Sequence, residues 1–177
     1  MNVARVVFAG LGLGAIVLVS GCAAPAKPED MTPTVVPATH RSEHDVWVVV
    51  SGGKDTSKMG ASQISDAHFG HALHDALDKS AVFSKISASG GYYKLSAYIG
   101  KVDQPTFGFS MTVTMEVSYS LTNTQSGQSV WTMNVTSTHT ATTSEAFAGV
   151  ERLRLATEGA AKDNIQQAVA ALETVQL

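Results

Sequence analysis

Between Met111 and Thr122 the chain alternates without a break: Met111, Val113, Met115, Val117, Tyr119 and Leu121 are apolar, and Thr112, Thr114, Glu116, Ser118, Ser120 and Thr122 lie between them. A two-residue period puts one set on each face of a β-strand, so this segment lies on a core with its back to water. Beyond Gln125-Ser126-Gly127, Trp131, Met133 and Val135 repeat the pattern against Thr132, Asn134, Thr136 and Thr138. With Gly127 at the left-handed position of a three-residue loop, Leu121 faces Trp131, Tyr119 faces Met133 and Val117 faces Val135. Both apolar rows then share one side.

Upstream, Val46-Trp47-Val48-Val49-Val50 is a continuous apolar run of strand length, stopped by Ser51-Gly52-Gly53. Phe69, Ala72, Leu73, Ala76 and Leu77 recur at helical spacing and predict an amphipathic helix over 65–80. Residues 82–89 read as a short strand, and Gly90-Gly91 as a two-residue hairpin loop leading into a strand over 92–102. A long helical segment over 144–173 closes the chain, with Ser144 as its cap. Ala161, Ile165, Ala168, Val169 and Leu172 form its buried stripe, and Arg154, Glu158 and Lys162 are ion pairs at four-residue spacing on its exposed side. Gly149 and Gly159 weaken that helix by about 1 kcal/mol each relative to alanine, which makes either a place where the helix can break. The expected fold is α+β, a two-layer sandwich of a mainly antiparallel sheet with two helices on one face.

The N-terminus has the parts of a secretory signal: Arg5, an apolar stretch from Val6 to Val19, then small residues. The stretch is shorter than the roughly 20 residues of a spanning helix. Val19-Ser20-Gly21-Cys22 resembles the bacterial lipobox, which reads aliphatic, small, small, Cys. The resemblance implies that residues 1–21 are a lipoprotein signal peptide and that Cys22, the only cysteine, carries acyl chains such as palmitate. Several chains, at about 0.8 kcal/mol per buried CH2, hold a protein on a membrane almost permanently. A buried thiol in an uncleaved helix fits less well, because a proline-bearing stretch follows directly. Ala23, standing where an Asp would retain the protein, implies by the enterobacterial sorting rule an outer-membrane protein facing the periplasm. Residues 22–44, with Pro25, Pro28, Pro33 and Pro37 and no hydrophobic period, read as a tether with a stretched reach of about 70 Å. The folded domain is expected over 45–177.

The search for chemistry finds no catalytic set. Gly53-Lys54-Asp55-Thr56 lacks the earlier glycine of a phosphate loop and has Asp55 where a hydroxyl residue belongs. There is no Gly-x-Ser-x-Gly elbow, and a lone cysteine excludes dithiol redox chemistry. The formal charge is −3, and no basic cluster points to nucleic acid. His68, His71 and His74, with Asp75 and Asp78, are the one group of ligand-type residues. Three-residue spacing rotates successive histidines by about 60°, so they fan over a face instead of converging on one metal. A solvated face with His71–Asp75 and His74–Asp78 pairs is the favoured reading, and a metal-binding or enzymatic helix is the alternative. The expectation is a non-enzymatic protein with no cofactor.

Two surfaces invite a binding role. The outer row of the hairpin, with Thr112, Thr114, Ser118, Thr132, Asn134, Thr136 and Thr138, carries one charge, Glu116. Threonine serves there for its strand preference, or as a docking face for an envelope protein, a glycan or a lipid head group, since hydroxyls bond without the desolvation cost of charges. The loop over 102–109 places Pro105, Phe107 and Phe109 near a tip, where the aromatics either fold back on the core or insert into a partner. The lipobox, the proline-bearing tether and the order strand, helix, strands, long helix together resemble small proteobacterial envelope lipoproteins such as the YajG group and the LptE-like lipoproteins. The outer sheet face offers no counterpart to the LPS-contacting basic residues of the latter.

Overall fold

The structure, a computed structural model, describes residues 23–57 and 60–177; residues 1–21 and Cys22, and with them the lipobox, lie outside the described residues. Strands β1 (Val46–Ser51), β2 (Ile86–Ser87), β3 (Tyr93–Asp103), β4 (Met111–Asn123) and β5 (Ser129–Ala141) form one sheet in the order β2-β1-β3-β4-β5. Helices α1 (Pro28–Met31), α2 (Asp66–Ser80) and α3 (Gly149–Leu172) cover one face. This is the expected two-layer α+β sandwich, with antiparallel pairing along its three long strands.

The β4–β5 hairpin has the register its sequence predicts. Leu121 pairs with Trp131, Tyr119 with Met133 and Val117 with Val135, and Gly127 sits at φ 72°. Asn123 secures the turn by accepting the Gln125 and Ser126 amides at its side-chain oxygen, both at 3.0 Å. Leu95, Ala97, Val113, Met115, Val117, Tyr119 and Leu121 are all buried beneath the helices. The inner face of the sheet is the core.

The hairpin expected around Gly90-Gly91 does not form. Gly90 does adopt a positive φ of 65°, yet β2 contracts to Ile86–Ser87, and β2 and β3 lie parallel to β1 on its two edges. The apolar run of β1 takes the slot between them. The Asp45 carboxylate joins both neighbours, accepting from the Ser87 hydroxyl at 2.6 Å and the Tyr92 amide at 2.8 Å. Val82 and Phe83, read as strand, are buried loop residues.

Helix α2 begins where expected, with the Ser65 side chain accepting the His68 amide. Helix α3 begins at Gly149, five residues beyond the expected Ser144 cap. Ser144 instead bonds the Thr142 hydroxyl at 2.7 Å within a turn, and Ala148 precedes the helix without a side-chain cap. The helix runs unbroken through Gly159, where α3 lies so close to β5 that a Cβ would come 2.2 Å from His139 Cδ2.

Residues 26–42, expected as a free tether, run instead as a strap between α2 and α3. The Ala26 amide donates to the Gln63 carbonyl near the start of α2, the Ala38 amide to the Ser80 carbonyl at its end, and the Ser42 amide to Val82. Ala26 and Met31 are fully buried, and Pro33 is buried beside them. Isolated apolar side chains dropped into a preformed groove show no period along the sequence. The strap continues the helix layer; it does not hang from it.

Candidate functional site

The outer face of the hairpin is built from two registered rows of hydroxyls. Thr112 stands opposite Thr140 with their Oγ1 atoms 2.8 Å apart, and Thr114 opposite Thr138 at 3.1 Å. Ser118 faces Asn134, Ser120 faces Thr132, and Glu116 faces Thr136. Thr112, Ser118, Thr132, Asn134, Thr136 and Thr138 are all exposed, and Thr114 is half-buried by its neighbours. The sequence therefore places every one of these residues on one surface. Cross-strand threonine pairs satisfy each other and stiffen the face, leaving spare lone pairs for a partner. Across the sheet β3 adds Tyr98, 55% exposed, beside Ser118, and Lys101 beside Glu116. Lys101 donates to Asp103 at 3.0 Å, which raises its basicity further.

Phe107 does not share that face. It lies on the loop between β3 and β4 and is 85% exposed, so the aromatic bulk there does not fold back on the core. Of the two expectations for Phe107 and Phe109, contact or burial, exposure holds; Phe147 joins them because the segment between β5 and α3 is a loop where a helix is expected. Arg152 holds both loops. Its guanidinium donates to the carbonyls of Ala146 at 2.9 Å, Phe147 at 2.6 Å and Gly108 at 3.0 Å, while its Nε is buried without a partner.

The histidine helix is dispersed. His68 Nδ1 lies 2.9 Å from the Ala26 carbonyl and so serves the strap, whereas His71 and His74 point to solvent. His74 approaches Asp75 at 3.7 Å, not Asp78 as the four-residue spacing suggested, and His71 and Asp75 form no ion pair. Among the described residues no three His, Cys, Asp or Glu side chains stand close enough to share a cation. His139, on the inner row at the edge of the sheet, contacts Asp163 at 3.3 Å.

The expected surface ion pairs of α3 are in fact a buried cluster. Arg154 and Glu158 are both nearly inaccessible, joined at 2.5 Å, and Arg154 also binds Glu151 and, at 3.4 Å, Asp30 of the strap. Glu158 accepts the Lys27 amide at 2.9 Å, so the strap is what buries the pair. No Glu158–Lys162 pair accompanies it.

These contacts set a pH dependence. The Ser87 hydroxyl and Tyr92 amide hold the Asp45 carboxyl below its usual 3.8, the Thr142 amide and hydroxyl do the same for Glu145, and Arg154 lowers Glu151 below the usual 4.5. Depressed carboxylates contribute stability above their unfolded values and lose it as pH falls through their folded ones. Glu158 acts oppositely: burial raises its carboxyl, against the pull of Lys27 and Arg154, so its share is present in acid and lost as pH rises. With three groups against one, the melting temperature, followed by circular dichroism, is expected to fall as pH drops below about 4. A melting temperature that climbs there would mean that Glu158 dominates.

No protein-family model and no curated protein matches the sequence. Several solved structures share the fold. A Xanthomonas campestris protein of the family DUF330 superposes with a TM-score of 0.59 at 13% identity, over 78% of this chain and 89% of that one. A hypothetical protein of Chlamydia trachomatis gives a TM-score of 0.55 at 10% identity, over 76% and 98%. PelC of Paraburkholderia phytofirmans, crystallised as a dodecamer, gives 0.50 at 19% identity, over 81% and 96%. At these identities the likeness is one of fold alone, and it does not reach the level of the YajG or LptE-like groups. No helix among the described residues is long and apolar enough to cross a membrane.

Proposed function

We propose that the chain is a lipoprotein of the bacterial envelope, anchored through Cys22 in the outer membrane and facing the periplasm, whose domain is a non-enzymatic binding or scaffolding module. The anchor rests on Val19-Ser20-Gly21-Cys22. The observation that supports the binding role is the outer hairpin face, where Thr112–Thr140 and Thr114–Thr138 are paired into a rigid, nearly uncharged hydroxyl surface. Such a face suits an envelope protein or a glycan, which meet it through hydrogen bonds at little desolvation cost.

A photo-crosslinker placed at Thr114 in intact cells is expected to trap one defined protein or glycan, and Thr136→Lys with Thr138→Lys in the same protein to abolish the adduct. The Cys22→Ser variant is expected to leave the membrane fraction. Membrane retention of that variant would sink the anchor; equal adducts from an exposed control position such as Gln125 would sink the docking face.

A further inference from the structure

Four of the large apolar side chains most open to solvent gather at one end of the domain. Phe107 (85% exposed) and Phe109 (90%) stand on the β3–β4 loop, Phe147 (96%) on the β5–α3 loop, and Val150 (42%) on the first turn of α3. Phe107, Phe147 and Val150 border one open cleft with Met111 and Leu153 at its base. Arg152 bonds the carbonyls of both loops, so the aromatic tips are held by a common support and not left to independent loops. The nearby Glu145 carboxylate is turned back onto the Thr142 amide and hydroxyl, which keeps charge away from the tips. Exposed apolar groups arranged in this way mark a contact surface.

The strap says what that surface meets. Its first anchored residue, Ala26, donates to Gln63, whose side chain donates to Gln104 at the root of the Phe107 loop. Gln104 in turn donates to Thr157 of α3, and Glu158 beside it accepts Lys27. The strap therefore enters the domain at the aromatic end. Cys22 is four residues before Ala26, so an acyl-bearing cysteine lies within about 14 Å of it even when the chain is fully extended.

We infer that Phe107, Phe109 and Phe147 form a membrane-resting knuckle, seated in the interfacial layer of the same lipid leaflet that receives the acyl chains of Cys22. This rests on the anchor reading above. With the aromatics engaged, the sheet stands on its Phe-bearing end, with the β4–β5 turn at Gln125 farthest from the lipid and the threonine face accessible from the side. Aromatic rings at interfacial depth, about 5–10 Å into the headgroup boundary, fix the tilt of a domain that a lipid alone would leave free to swing.

The test uses the acylated protein in vesicles of phosphatidylethanolamine and phosphatidylglycerol with brominated acyl chains. Phe107→Trp and, as the opposite-end control, Gln125→Trp each add one fluorophore to the native Trp47 and Trp131. Bromine quenching of the Phe107→Trp protein is expected to exceed that of the control by about twofold or more, as interfacial insertion requires. Flotation with the vesicles but equal quenching in the two proteins would overturn the knuckle while leaving the anchor standing. Failure of the unaltered protein to float would remove the anchor, and the knuckle with it. A blue shift of the Phe107→Trp emission without lipid, growing with protein concentration, would assign the patch to a second copy of the chain and also overturn it.

Discussion

Replacing Arg154 with alanine is expected to destabilise the domain by about 3–5 kcal/mol, the loss that follows when one partner of a buried ion pair is removed. For a domain of this size that lowers the melting temperature by roughly 6–20 °C. The (i, i+4) spacing of Arg154 and Glu158 alone would suggest a surface pair worth only a few tenths of a kcal/mol. Burial decides between the two magnitudes. Glu158 is 2% exposed and its Oε2 already has no partner, so without the guanidinium its charge has only the Lys27 amide. The strap also loses the Asp30 contact. Trypsin is therefore expected to cut after Arg41 faster in the variant. A double replacement, Arg154→Met with Glu158→Leu, is expected to recover most of the stability, since well-packed apolar residues replace a buried pair at little cost. Chemical denaturation measures all three proteins, and a loss under about 1 kcal/mol for Arg154→Ala would show that water reaches the pair.

The second large effect is expected at Asn164, fully buried where α3 crosses the sheet. Its Oδ1 accepts the Tyr119 hydroxyl at 2.8 Å, and its Nδ2 donates to the Val135 carbonyl and the Ser137 hydroxyl oxygen, both at 3.1 Å. Ser137 passes the chain on to the Ala160 carbonyl at 2.7 Å. Asn164→Leu keeps the volume and strands these groups, at about 1–3 kcal/mol for each one left unsatisfied. A total near 3 kcal/mol is expected. Tyr119→Phe in the same protein removes one stranded group, so the double variant is expected to be more stable than the sum of the two singles by about 1 kcal/mol. Strict additivity would mean that Tyr119 and Asn164 are not coupled.

What the sequence made legible follows from which forces act locally. Alternation in β4 and β5 is written by burial of a single sheet face, so the hairpin, its register and the threonine surface could all be read in advance. The Phe69–Leu77 stripe fixed α2 in the same way. Gly90 has the positive φ expected of it, but the hairpin expected there does not form, because the strands on either side of it both pair with β1, a long-range choice that no local signal carries. Arg154 and Glu158 look solvated because nothing within the helix says that a strap 131 residues upstream will cover them. The aromatic end escaped for a related reason: Phe147 and Phe107 meet only through Arg152, and that meeting is a product of topology.

The strap has a consequence for how the protein is made. Lys27 closes onto Glu158 across a sequence gap of 131 residues, and the groove it occupies has no second wall until α3 has been synthesised. So distant a contact is entropically dear to close and forms after the local hairpin and helices. While the chain is being built, the segment beyond Cys22 is therefore a long leash, able to span about 70 Å. Completion of α3 reels it in to the four residues before Ala26. In the proposed lipid-anchored form, folding itself draws the domain down onto the membrane.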